Sequence, residues 1–186
     1  MKALGSFHNR IVAAFMLLFL LCTPVFAQST DIDALFNELR TADAESAPEI
    51  EDKIWREWSK SGSPAMDLLL ERGRDAMAQG MPEIAIEHLT ALTDHAPEFA
   101  EGWNARATAY YMAGDLGPSV ADIAHVLSLN PRHFGALSGL AAIFEELNRP
   151  EQALEVYRRV LAIHPNSPGV LDAITRLEAQ RDGKEL

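Results

Sequence analysis

Cysteine is almost missing from this chain: Cys22 is the only one among 186 residues. A disulfide framework and any cysteine-based zinc site are therefore excluded. Basic residues are scarce as well, 16 Lys+Arg against 27 Asp+Glu, for a formal charge of −11. The first 27 residues hold Lys2 and Arg10 and no acid, so residues 28–186 set 14 basic against 27 acidic side chains, a net −13. Nucleic acid and anionic membrane surfaces need a basic footprint to displace counterions, and this balance argues against both as general partners. Strand-like alternation of apolar and polar residues is absent. So are the motifs of hydrolytic and phosphate chemistry: there is no G-x-S-x-G elbow, no G-x-x-x-x-G-K-[ST] loop and no H-E-x-x-H. Carboxylates do stand together, as Glu145-Glu146 and as Glu49 with Glu51-Asp52. Consecutive helical residues point about 100° apart, so these read as solvated charge and not as an acid/base pair. Nothing here asks for an enzyme or a cofactor. With 48% hydrophobic and 23% charged residues, the composition is nonetheless that of a folded chain.

What is present begins with an address. Lys2 and Arg10 make a positive segment, followed by the apolar run Ile11 to Cys22, a helix-breaking Pro24 and the triplet Val25-Phe26-Ala27. This order predicts a secretory signal over 1–27, cut after Ala27, and export to the periplasm or an equivalent space. Two alternatives are an uncleaved N-terminal segment that tethers the chain to a membrane, and lipid modification of Cys22. The 16 residues from Ile11 to Phe26 fall short of the roughly 20 that a spanning helix needs. Leu21 occupies the place where lipoprotein signals usually carry a small residue. Cleavage would leave a thiol-free chain with no inserted segment.

Pro97, Pro131 and Pro165 are 34 residues apart, and each closes an apolar helical run. Between them the same order recurs: a helix, a short turn, a second helix. The turns are Gln79-Gly80-Met81-Pro82, Ala113 to Pro118 and Leu147-Asn148-Arg149-Pro150. Proline there falls near the first turn of the next helix, where its missing N–H costs nothing. Two helices per 34 residues point to an all-α solenoid.

The residues resemble those of the tetratricopeptide repeat (TPR). The middle repeat carries the pattern as Trp103, Arg106, Ala107, Tyr110, Ser119, Ile123 and Pro131, the third as Leu137, Leu140, Ala141, Phe144, Ala153, Tyr157 and Pro165. The first reads Leu69, Arg72, Gly73, Ala76, Ala85, Leu89 and Pro97. Arg72 and Arg106 depart from the usual leucine, and Ala76 from the usual large aromatic. The resemblance implies a right-handed α-α solenoid of three helix hairpins, at 66–99, 100–133 and 134–167 within 65–167. Small residues at Gly73, Ala107 and Ala141, and at Ala85, Ser119 and Ala153, would let paired helices approach. Residues 28–64 read as a divergent N-terminal helical pair covering the front of the array, its second helix opened by a capping box at Ser46-Ala47-Pro48-Glu49. Residues 168–186 read as a capping helix and tail, with Val170, Leu171, Ile174 and Leu177 on its apolar face.

In the family, the first helix of each pair lines an inner curve that holds a peptide or partner helix. By helical phase the positions facing it here are Leu70, Arg74 and Met77, then Asn104, Thr108, Tyr111 and Met112, then Ser138 and Glu145, with Asp67, Glu101, Gly135 and Glu146 beside them. Met77, Tyr111 and Met112 would form an apolar patch, unless residues 31–60 fold back into the groove and cover it. One TPR subclass grips a terminal carboxylate with Lys, Arg and Asn; here only Arg74 and Asn104 offer donors at the matching positions, so no such clamp is expected. His95, His133 and His164 fall near the turns between repeats and read as exposed, with shared metal binding as the less favoured alternative. The implied activity is that of an adaptor for a protein or peptide partner. A structural subunit of a larger envelope assembly, and a histidine-based metal handler, are the other classes.

Overall fold

The computed structural model describes residues 31–184; the expected signal at 1–27, including Cys22, lies outside the described residues. These fold into nine helices and no strand. They are α1 (Ile32–Thr41), α2 (Ala47–Trp58), α3 (Pro64–Ala78), α4 (Pro82–His95), α5 (Ala100–Met112), α6 (Leu116–Leu129), α7 (Phe134–Glu146), α8 (Pro150–Ile163) and α9 (Pro168–Lys184). Proline opens α3, α4, α8 and α9, as expected of a residue that presets φ and has no N–H to lose. Gly80, Gly114 and Asn148 turn α3 into α4, α5 into α6 and α7 into α8 with φ of 72°, 81° and 55°. After each, the next N–H reaches back five residues: Met81 to Ala76 O at 2.9 Å, Asp115 to Tyr110 O at 2.9 Å and Arg149 to Phe144 O at 2.8 Å. That left-handed closure satisfies carbonyls at the helix end.

Helices α3/α4, α5/α6 and α7/α8 pair as three hairpins, and α4 packs on α5 and α6 on α7. All six small residues singled out by the repeat pattern are buried. A Cβ at Gly73 would lie 2.5 Å from Leu89 Cγ, so the α3–α4 approach needs glycine. Among the bulky residues at equivalent positions, Leu137 is buried while Leu69 and Trp103 are half-buried against their clusters.

The N-terminal pair does not cover the front of the array. At positions 34 apart, Leu68 is exposed while Gly102 and Ala136 are buried; Asp75 is exposed while Ala109 and Ile143 are buried. The hairpins behind α5 and α7 supply the cover that α3 lacks. Helices α1 and α2 instead join the core of the third repeat, where Leu35, Phe36, Leu39, Ala47 and Ile54 cluster with Phe134, Leu137, Leu154 and Val160. Trp55 meets the Phe134 ring edge-on at 5.4 Å, and Trp58 lies 4.9 Å from it. The physical reason is what each end offers: Arg72 and Asp75 make the front polar, whereas Phe134 and Leu137 present apolar area to bury.

Two smaller expectations also change. The capping box at Ser46 does not form; its hydroxyl donates to Asp43 Oδ1 at 2.7 Å, closing a local turn that competes for the same group. In α9, Val170, Ala173 and Leu177 are buried, but Leu171 is 42% exposed because the helix turns that 3/4-spaced face toward α8. No helix of the described residues is long and apolar enough to cross a membrane.

Candidate functional site

Helices α5 and α7 run side by side and leave a cleft of about 100 Å³ between them. Its α7 wall is lined by Gly135, Gly139 and Ala142, which recur at helical spacing on one face, and is kept low by the last two, since Trp55 takes the space beside Gly135. Asn104, Thr108 and Tyr111 form the α5 wall, with Ile143 and Ile123 below. Tyr111, an amphipathic anchor 38% exposed, lines the cleft, and Met112, an adaptable side chain 46% exposed, follows it on the surface of α5. The Tyr111 hydroxyl is made less acidic than usual, its pKa pushed up first by burial and then by its bond to Glu146.

The other positions expected on this face fare differently. Leu70 is buried at 2% among Ala105, Ala109 and Leu92, so it belongs to the core and is removed from the site. Met77 is half-buried against the same cluster, which leaves Tyr111 and Met112 as the exposed apolar pair. Ser138 is half-buried, its hydroxyl bonded to Phe134 O of its own helix at 2.9 Å. Thr108 is exposed and donates to Asn104 O at 3.0 Å. Glu145 is claimed by Tyr157 Oη and by Arg176, each at 2.7 Å. Burial pushes that carboxyl up, and the two donors outweigh it and hold it below the usual range. Asp67 accepts from Ser61 at the α2–α3 turn, at 2.6 Å from the hydroxyl and 2.8 Å from the N–H.

Arg74 and Asn104 meet on a residue whose burial the sequence did not reveal. Glu101 is 3% exposed. Its Oε1 accepts Arg74 Nη2 at 2.6 Å; its Oε2 accepts Asn104 Nδ2 at 3.2 Å and lies 3.0 Å from His133 Nε2. Arg74 also donates to Ser59 Oγ at 3.0 Å. His133 Nδ1 accepts the Ala136 N–H at 3.1 Å, which places the ring proton on Nε2, facing Glu101. Trp58 stacks on that imidazole at 4.2 Å. The network ties α2, α3, α5 and α7 together across the start of the inner curve. Glu101 is also in the first turn of α5, where a helix N-terminus favours negative charge. An acid in a first turn is ordinary in sequence, and nothing in the chain marks this one as buried.

Helix α2 thus occupies one end of the groove. Ser59 meets Arg74 of the first repeat, Trp55 fills the space that a Cβ on Gly135 would take, and Glu51 lies 3.8 Å from His164 at the end of α8. Two turn histidines expected to be exposed are therefore buried, His133 at 0% and His164 at 1%, while His95 is exposed. Trp55 and Trp58 of α2 cover His133, and Phe134 of α7 lies against His164. Among the described residues no group of three His, Cys, Asp or Glu side chains is placed to hold a metal.

Two Tetratricopeptide repeat family profiles match this chain, over residues 70–117 and 134–177. A TPR repeat-containing protein of Rhizobium etli is 38% identical over 135 residues, covering 72% of this chain and 66% of that protein. In the small glutamine-rich tetratricopeptide repeat-containing protein 2 of Saccharomyces cerevisiae and the Hsp70-Hsp90 organizing protein 1 of Glycine max, the chain spans 34% and 19% of the length. Among solved structures, the first TPR domain of human RPAP3 superposes with a TM-score of 0.61 at 26% identity, covering 65% of this chain and 95% of that one. The first TPR of Spaghetti (RPAP3), solved with HSP90 peptide SRMEEVD bound, gives 0.61 at 25% identity, covering 64% of this chain and 98% of that one.

Proposed function

This chain belongs to the tetratricopeptide-repeat family, and on that premise we propose that it is a non-enzymatic adaptor, exported to the periplasm, that holds a segment of a partner protein in the α5–α7 cleft. The cleft itself carries the reading: its α7 wall is kept low by Gly139 and Ala142, and it is rimmed by Asn104, Thr108 and Tyr111. A bulky apolar side chain of the partner suits the floor, with the polar rim fixing its orientation. The Spaghetti domain holds a peptide on the same fold, which supports a peptide-sized ligand. Arg74 and Asn104 both bond the buried Glu101, whose carboxylate meets part of their donor capacity, and the apolar floor of the cleft favours a partner held more by apolar contact than by a carboxylate. Export rests on the Lys2–Ala27 segment, and fractionation with N-terminal sequencing should find the mature chain starting at Gln28.

The test of the groove is Tyr111→Ala with Met112→Ala. Both side chains are exposed, so the double variant should keep its unfolding midpoint while partner capture from the native host falls about tenfold or more, as expected on losing anchor residues. Undiminished capture would remove the cleft from the interface. A second reading, a structural subunit of a larger envelope assembly, draws support from the bare front of the first repeat, where Leu68 is 44% exposed. Size exclusion of native extract separates it from a free adaptor.

A further inference from the structure

Helices α1 and α2 are held on the third repeat by a large apolar contact that has two fully buried histidines beneath it. The two are not equivalent. His133 is provided for: its Nε2 faces Glu101, which Arg74 also approaches, and Trp58 covers its ring. His164 is not. Its Nε2 has no hydrogen-bond partner among the described residues, and its Nδ1 lies 3.8 Å from Glu51 of α2, beyond hydrogen-bond reach. From α7 it meets the apolar ring of Phe134, centroids 5.6 Å apart. The other charged groups of this interface, Arg132 and Asp33, pair with each other over Phe36.

We infer that the N-terminal helical pair is an acid-released strap, with His164 as the trigger whose protonation lifts α1 and α2 from the third repeat.

The sign follows from solvation. Burial depresses the His164 imidazole below its ordinary value of 6.5, and the Glu51 charge only partly offsets this. Above that value docked and lifted forms are both neutral, and docking is at full strength. Below it the lifted form takes up a proton that the docked form refuses, so docking weakens as pH falls from 6.5 toward the lowered, docked value. Over that window the lifted fraction rises by up to about tenfold per pH unit for one histidine. Release would bare His133, Phe134 and Gly135 and lengthen the open groove. That consequence rests on the cleft being the partner site; the release does not.

Hydrogen exchange on the purified protein at pH 7, 6 and 5, expressed as protection factors to divide out intrinsic rates, tests the strap. Amides of Ile32–Thr41 and Ala47–Trp58 should lose protection by up to about tenfold per unit, while those of Pro82–His95 hold theirs. His164→Leu, and independently His164→Gln, should flatten the dependence. A flat wild-type profile would overturn the inference. So would a slope surviving in the neutral variants, or a loss shared equally by Pro82–His95, which would mean general loosening. Failure of the cleft reading would appear only in partner capture by the Tyr111/Met112 variant, and would leave these exchange results unchanged.

Discussion

At Arg106 the family pattern calls for leucine, and the reason for the exception is visible only across the helix pair. Its guanidinium forms a fork with Asp122 of α6, 2.7 and 2.9 Å, and donates to Thr93 of α4 at 2.8 Å. Asp122 keeps only 7% of its side chain exposed, so it depends on that arginine. Restoring the family's residue alone, Arg106→Leu, leaves a buried carboxylate without its cation and should cost about 3 kcal/mol. Adding Asp122→Ala should recover much of the loss, because removing both charges also removes the desolvation cost. Urea midpoints of the two variants decide this; equal losses would mean that the pair is no more than surface decoration. Neither partnership was legible in the chain, since Arg106 reaches Thr93 and Asp122 and Glu101 reaches Arg74 and His133 across 13 to 32 residues, through helix phases that must be exact to pair.

Helices and hairpins, by contrast, were written plainly. Their boundaries coincide with prolines that preset φ and with Gly80, Gly114 and Asn148, whose left-handed backbone few other residues accept. Small residues at matching places on both helices of each pair marked the close crossings, and all of them are buried. Ala107 sits in such a crossing at 3% exposure, with its carbonyl accepting the Ser119 hydroxyl at 2.8 Å. Ala107→Leu should overpack it and cost about 1–3 kcal/mol. An unchanged thermal midpoint would mean that α5 and α6 are further apart than described. Helical phase served less well for the inner face. It put Leu70 there, but α5 packs close enough to bury it, and it put Glu145 there, but Tyr157 and Arg176 hold that carboxylate.

For the whole molecule the decisive feature is where the N-terminal pair docks. Ile54 is fully buried in the cluster shared with the third repeat, whereas Leu68 stands exposed on the front of the first. Ile54→Ala should therefore cost about 2–5 kcal/mol as a core truncation, and Leu68→Ala less than about 0.5 kcal/mol as a surface change. Denaturant titrations giving the reverse order would return the pair to the front of the array. Docking on the third repeat also explains why part of the inner curve is filled from within, beside the cleft that stays open between α5 and α7.

The amino-acid sequence alone determined the repeat: the 34-residue period, the hairpin turns, the small-residue crossings and hence an all-α solenoid, because each of these is a local steric demand met by neighbouring residues. Only the tertiary structure decided which of two ends the first helical pair covers, which inner-face residues stay free, and that Glu101, His133 and His164 are buried. Those outcomes depend on competition for apolar area and charge partners between segments more than 100 residues apart, and no local pattern records who wins.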